Sequence, residues 1–319
     1  MNALVTGGAG FIGSHLVDAL VADQHFDKIL VIDNYSTGLK KNLEHLEDKI
    51  VITHDSVSKP HAVYQMADLF HASQIDVVFH LAAAPGVPFS MKEPALSHME
   101  NVNGTFNVLE AARQAKVKRV VFSSSSSIYG GKANFPTYEA DFPMIEYRPQ
   151  SPYAQFKAVG EQYCKMYSSM FGLDTVCLRY FNVMGPRQRA DSAYAAVVAA
   201  FIDCAVNNKI PKIHGDGLAF RDFTFVDNVV SANILAATYP NLLRGESFNV
   251  GTGRKITVND VHKVSGALPA IYSENRIGDV NGSQASIEKI SKVLGYKVLV
   301  NFEDGMKLTK EWHLAQKGV

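Results

Sequence analysis

The chain has 319 residues, 47% of them hydrophobic, with 31 basic against 31 acidic side chains. Balanced charge supplies no field to gather nucleic acid or an anionic membrane, and no stretch approaches the roughly 20 apolar residues of a membrane helix. Cys164, Cys177 and Cys204 are an odd set without metal spacing, and "MNALVTGG" lacks the basic start and apolar run of a signal peptide, so the expectation is a soluble, cytoplasmic protein with buried thiols.

Along the chain, short β-branched runs alternate with longer amphipathic stretches. The runs 3–7, 28–33, 49–55, 76–82, 119–124 and 175–181 read as buried strands, and 11–23, 60–72, 95–116 and 151–171 as helices. Continuous apolar strands separated by helices predict a doubly wound parallel sheet, an α/β Rossmann architecture. After Phe181 the rhythm breaks at Pro186, Pro211, "HGDG" (214–217) and "GTG" (251–253), as expected of a smaller second α/β domain. The division reads as 1–180 plus about 222–250 for the larger domain, and 181–221 with 251–319 for the smaller.

"LVTGGAGFIGSHL" sets a strand, a glycine turn and a helix in succession, with Gly7, Gly10 and Gly13 each three apart. The first glycine suits a tight turn, the second a close approach of backbone to a pyrophosphate, and the third close helix packing. The helix start offers free N–H groups and partial positive charge. Asp33 ends the second strand twenty residues after Gly13, where an acid hydrogen-bonds an adenosine ribose. It would repel a 2′-phosphate, and "DNYSTG" has no arginine to offset it, so the cofactor expected is NAD. Asp55, ending the third strand, reads equally as an adenine contact or a solvated loop acid.

The pentaserine in "KRVVFSSSSSIYGG" begins inside a strand, which places it at the carboxyl end of a parallel sheet, where such folds bind ligands, rather than in a linker. Downstream, Ser151-Pro152 suits a helix start, and Tyr153 and Lys157, four apart, share one helix face. An ammonium beside a phenol favours phenolate. A lowering of about three units from pKa ~10, roughly 4 kcal/mol, would make Tyr153 a base near neutrality.

These residues resemble the extended short-chain dehydrogenase/reductase family of nucleotide-sugar epimerases and dehydratases. "TGGAGFIG", "HLAA" (80–83), "SSSIYG", "YAQFK", "RYFNVMGPRQ" and "RDFTFVDN" occur in family order. The resemblance implies a Rossmann domain holding NAD, a C-terminal domain holding a UDP-sugar, and a catalytic triad that falls on Ser125, Tyr153 and Lys157. It extends the cofactor set to Phe11 and Ile12 in the loop, and to Asn34, Ser36, Thr37 and Gly38 beyond the second strand. It adds Ser56 after the third strand, Leu81, Ala82 and Ala83 after the fourth, and Ser123 and Tyr180. Relatives pair the helices at 95–116 and 151–171 as a four-helix bundle, implying a homodimer.

Dehydratases and decarboxylases of the family carry a glutamate where this chain has Ser127, and Ser126 replaces the dehydratase aspartate. Without that acid the resemblance points to 4-epimerisation. Tyr153 takes the proton of the sugar 4-OH as hydride leaves C4 for NAD⁺, Ser125 holds O4, Lys157 binds the nicotinamide ribose, and the 4-keto sugar turns over before hydride returns. The resemblance assigns Arg221 and Arg276 to the UDP phosphates, Asn182 to a phosphate or the sugar, Asp279 to the uridine ribose, and Ser127 and Val197 to the substrate pocket. Ser283 stands where epimerases that exclude N-acetyl groups carry tyrosine, so a 2-acetamido sugar fits and UDP-GlcNAc/UDP-GalNAc is the expected pair. UDP-glucuronate is the rival, through Arg189 in "GPRQR"; an idle NAD-binding sensor is the rival of another class. The scattered histidines show no paired metal spacing, so no metal is expected.

Overall fold

The computed structural model describes residues 1–130, 134–142, 148–189, 197–274 and 282–317. Its centre is a seven-stranded parallel sheet. Six strands come early: β1 Asn2–Thr6, β2 Lys28–Asp33, β3 Val51–His54, β4 Val77–His80, β5 Arg119–Ser125 and β6 Asp174–Tyr180. Further on lie the two-residue strand β7 Val183–Met184, then β8 Lys212–His214, β9 Phe220–Arg221, β10 Thr224–Phe225, β11 Glu246–Val250, β12 Ile256–Thr257 and β13 Ile271–Ser273. The large sheet runs β11-β6-β5-β4-β1-β2-β3, so the chain reverses direction of growth between β1 and β4. The order is that of a doubly wound dinucleotide fold with one strand added. The remaining strands form three two-stranded pairs.

The sheet is buried on both faces because its strands alternate between two apolar layers. Ala3, Val5, Phe79, Val121 and Leu178 enter one core with helix α1 (Phe11–Ala22) and a later helix, Val226–Thr238. Leu4, Val78, Val120, Phe122 and Cys177 enter the other. That second face is covered by α2 (Ala62–Ala72), α5 (Gly104–Gln114) and α6 (Pro152–Phe171), with α3 (Val87–Lys92) and α4 (Pro94–His98) between. Cys164 and Cys177 are buried thiols, whereas Cys204 is only half-buried.

Local chemistry fixes α6, the helix that carries Tyr153 and Lys157. Ser151 Oγ accepts from Ala154 N at 3.1 Å, Pro152 occupies the first turn, and Gly172 at φ +70° ends it. Gly160 lets the helix lie on β5: a Cβ there would sit 2.4 Å from the Phe122 ring.

The helix expected over 95–116 is interrupted. α4 is followed by a π-helical turn at Met99–Asn103 before α5 begins. Asn101 Nδ2 donates to Ala84 O at 3.0 Å and to Ser97 O at 2.7 Å, and Thr105 Oγ1 donates to Asn101 O at 2.6 Å. Side chains thus compete for backbone carbonyls, and the extra residue is accommodated as a bulge. Among the described residues no helix is long and apolar enough to cross a membrane.

Candidate active site

A cleft of about 480 Å³ opens at the carboxyl ends of β1 to β6. Its floor is the turn from β1 to α1. Gly7 has φ +71°, and a Cβ on it would lie 2.7 Å from Ala82 N, so only glycine lets this turn meet the one after β4. A Cβ on Gly13 would lie 2.1 Å from Gly7 O; the third glycine therefore packs the helix against its own loop. The first intrahelical acceptor is Gly10 O, bonded by Ser14 N at 3.0 Å. The N–H groups of Phe11, Ile12 and Gly13 have no helical acceptor, and these residues line the cleft.

Asp33 lines the cleft too. Its Oδ2 accepts from Ala9 N at 2.8 Å and its Oδ1 from Tyr35 N at 2.7 Å. Burial raises its pKa against the pull of those two donors. A carboxylate has lone pairs for further hydroxyl donors. Asn34, Ser36, Thr37, Ser56, Leu81, Ala82 and Ala83 join the lining, as do Ser123 and Tyr180. Gly38 does not: it packs on Ala9, where a Cβ would meet backbone at 2.9 Å. Asp55 lines the cleft, but not as a solvated acid, because it pairs with Lys59 and caps Ser56 N at 2.7 Å.

The serine run divides at the cleft wall. Ser123 to Ser125 end β5, and Ser126 to Tyr129 form a 3₁₀ turn. Tyr153 and Lys157 line the cleft beside it. The Ser125 hydroxyl is near enough to the Tyr153 phenol to lower its pKa, and Ser125 Oγ accepts from Ser127 N at 3.2 Å. Lys157 Nζ donates to Ser123 O at 2.8 Å and lies 5.8 Å from the Tyr153 ring centroid. Tyr180 OH completes the wall, 2.9 Å from Ser123 Oγ and accepting from Asn233 Nδ2 at 2.8 Å.

The expected acidity of Tyr153 needs correcting. Burial pushes its phenol up to about 12, and the Ser125 hydroxyl recovers only part of that. Burial also pushes the Lys157 ammonium down to about 8. One of the lysine's three donors is taken by the Ser123 carbonyl. A lysine with a lowered folded pKa adds stability as pH rises from that value, because the unfolded chain still holds the proton. Compared with Lys157→Met, NAD-free wild type should gain about 2–3 kcal/mol between pH 8 and 10, read by urea unfolding. Parallel curves would remove the case for a buried titrating lysine.

His80, in "HLAA", is buried beneath the cleft and held neutral, its pKa lowered by burial to about 3. Its Nδ1 lies 2.8 Å from Thr6 Oγ1 and its Nε2 3.1 Å from Thr105 Oγ1. Thr105 spends its proton on Asn101 O, so Nε2 carries the imidazole proton. The ring ties β1 and β4 to α5; it is not a ligand. Among the described residues no cluster suited to a metal ion occurs.

The substrate-side residues split. Ser283 N donates to Phe220 O at 3.1 Å and Ser283 Oγ to Asn182 Oδ1 at 3.3 Å, with Arg221 adjacent in β9. Val197 begins the helix Val197–Val206. Ser127 Oγ is buried without a hydrogen-bond partner. None of these, nor Ser125, lines the 480 Å³ cleft itself. Arg276 and Asp279 lie outside the described residues.

Two charged lining residues stand outside the sequence-based expectation. Glu100 reaches the cleft from the π turn and accepts from Ser58 Oγ at 2.8 Å. Arg187, at φ +64°, lines it from the loop after β7 and pairs with Asp18 at 2.8 Å. Only "GPRQR" hinted at Arg187; nothing in "MENVN" marks Glu100.

The chain matches the NAD dependent epimerase/dehydratase family over residues 3–251. It belongs to that family. It is therefore an NAD-dependent enzyme, and NAD is its cofactor. It is 37% identical to a UDP-glucose 4-epimerase of Mycolicibacterium smegmatis, across 98% of each chain. Among solved structures it resembles a UDP-N-acetylglucosamine 4-epimerase from Methanobrevibacter ruminantium in complex with UDP-N-acetylmuramic acid (TM-score 0.90, 36% identity, 99% of this chain and 98% of that one). It equally resembles a UDP-glucose 4-epimerase from Thermotoga maritima with UDP-glucose (TM-score 0.91, 36% identity, 99% and 100% covered).

Proposed function

We propose that this enzyme is a UDP-sugar 4-epimerase that interconverts UDP-GlcNAc and UDP-GalNAc, and more weakly UDP-Glc and UDP-Gal. The observation that carries the reading is the placing of Tyr153 and Lys157 together in the lining of the dinucleotide cleft, with Ser125 beside the phenol and Lys157 held on the Ser123 carbonyl. NAD would supply a hydride acceptor at sugar C4 that returns the hydride afterwards, leaving no net oxidation.

The protein's part is to place and move one proton. Tyr153 takes it from the 4-OH, and Ser125 supports that oxygen as it becomes a carbonyl. Two of the three Lys157 donors remain for ribose hydroxyls once Ser123 O has taken one. No carboxyl group stands at 126 or 127 for eliminating water. The sugar must rotate between its two half-reactions, so affinity rests on the nucleotide. Residues 1–180 and about 222–250 would serve NAD, and 181–221 with 251–319 the nucleotide sugar, through Asn182, Val197, Arg221, Arg276 and Asp279. A non-catalytic sensor would have no use for a serine hydroxyl and a phenol placed together beside the cleft.

Ser283 decides the sugar in this reading. It is small, and it lies on Asn182. Ser283→Tyr should cut kcat/KM for UDP-GlcNAc about 100-fold while changing that for UDP-Glc less than about threefold. A parallel loss on both sugars would sink the pocket argument. UDP-glucuronate is a second reading, favoured by Arg189 in the cleft lining. NMR of the products from UDP-GlcNAc, UDP-Glc and UDP-GlcA tests the proposal: the first should turn over fastest.

A homodimer in the cytoplasm completes the reading. Met91, Leu96, Met99, Phe106, Met170 and Phe171 are exposed on α3 to α6 and would be covered by a second copy.

A further inference from the structure

Among the described residues, the largest fully buried side chain is a cation, Arg179 in β6. Its Nε donates to Glu161 Oε1 at 2.8 Å and its Nη2 to Glu161 Oε2 at 2.7 Å; each side chain is 2% exposed. Neither lines the cleft. A buried ion pair is a poor source of stability compared with apolar packing, so its use lies in geometry. A planar guanidinium and a carboxylate joined twice fix each other's orientation.

The pair stands in a continuous hydrogen-bonded path. On one side Glu161 accepts from Ser124 Oγ at 2.6 Å and from Ser247 Oγ at 3.1 Å. On the other, Arg179 Nη1 donates to Tyr129 OH at 2.7 Å, and Tyr129 OH donates to Asn249 Oδ1 at 2.6 Å. Asn249 Nδ2 donates to Thr137 O at 2.9 Å. Thr137 in turn pairs with the segment after Ser283: Thr137 N donates to Gln284 O at 2.8 Å and Ser286 N to Thr137 O at 2.9 Å.

Both ends matter to catalysis. Ser124 lies between Ser123, whose carbonyl holds Lys157, and Ser125, whose hydroxyl neighbours the Tyr153 phenol. In a strand, alternate side chains face opposite ways, so anchoring Ser124 fixes its neighbours without using their hydroxyls. Glu161 is also one helical turn beyond Lys157.

We propose that the buried Glu161–Arg179 pair is a positioning device that locks the Ser123–Ser125 strand end to the Thr137 and Gln284–Ser286 pairing, and so holds the catalytic groups in register with the substrate half. The assay rests on the 4-epimerase reading, and the variants are chosen to separate the two. Ser124→Ala and Ser247→Ala each remove one bond to the same carboxylate, but only Ser124 lies on the catalytic strand. In the full-length enzyme, S124A should lower kcat about tenfold with KM within about twofold, and weaken NAD about threefold. S247A should match wild type in both while shifting the thermal midpoint as much as S124A does. E161Q should lower kcat further, and S124A should add nothing in that background. Equal kcat losses in S124A and S247A, or additive losses in S124A/E161Q, would overturn the proposal. If E161Q fails to fold, the two alanine variants decide alone. A wild type without sugar interconversion would sink the functional reading instead. The pair would then be judged on NAD affinity, weaker in S124A and unchanged in S247A.

Discussion

Tyr153→Phe should lower kcat by about 10³-fold while leaving the fold and NAD binding intact. The magnitude follows from the surroundings of the phenol. In the protein alone burial holds it at about 12, opposed only in part by the neighbouring Ser125 hydroxyl. Ionising it near pH 7 takes about 5 units, roughly 7 kcal/mol, rather than the ~4 kcal/mol the sequence suggested. One positive charge about 4–5 Å away supplies about 3–4 kcal/mol at an effective dielectric of 20, so two are required. Lys157 provides one only while it keeps its proton, and its own pKa is down at about 8. The phenol is thus the point at which the site concentrates its electrostatics, and phenylalanine removes it without changing the packing. Stability should move by less than about 1 kcal/mol, since at most one hydrogen bond is lost. Single-turnover kinetics with purified holoenzyme checks this; retention of more than about a tenth of wild-type kcat would leave Tyr153 without its assigned role.

The parts of the site that depend on local pattern were legible. "KILVID" marks a strand that runs from Lys28 to Asp33, and "SP" opens a helix that runs from Pro152 to Phe171. Both are set by neighbours in sequence: apolar continuity, a serine cap, a terminal glycine. The π turn was not legible, because it exists through Asn101 reaching Ala84, seventeen residues back, and it alone carries Glu100 to the cleft. Strand Glu246–Val250 was missed since "ESFNV" mixes polar and apolar residues; it is tolerated at the sheet edge because Ser247 and Asn249 find buried partners. Arg179 and Glu161 sat in segments read as strand and amphipathic helix, with nothing local to say that their charges meet. Tyr153 shows the same limit: its lysine neighbour is readable locally, but burial, a property of the whole fold, sets the direction of its pKa.

Asp222→Ala should be strongly destabilising, at about 3–5 kcal/mol. Asp222 is fully buried, and four donors converge on it. Its Oδ1 accepts from Thr252 N at 2.8 Å and Thr252 Oγ1 at 2.6 Å, and its Oδ2 from Gly253 N at 2.8 Å and Ala285 N at 3.0 Å. Alanine orphans three backbone N–H groups, each costing about 1–3 kcal/mol when buried unpaired. Relief of the desolvated carboxylate, whose pKa burial raises, offsets part of the total. Asp222→Asn keeps one acceptor but turns an NH₂ toward N–H donors, so it should fall between wild type and alanine in urea midpoint. Function should follow geometry. Ala285 is two residues from Ser283, so loosening it lets the Ser283–Asn182 contact drift and should raise KM for the UDP-sugar at temperatures where the variant is still folded. The strand end at Ser125 keeps its direct anchor, Ser124 on Glu161, at the far end of that path, so kcat should change less than KM. A urea midpoint for Asp222→Ala within about 1 kcal/mol of wild type would mean that the 252–253 turn and Ala285 satisfy their donors elsewhere.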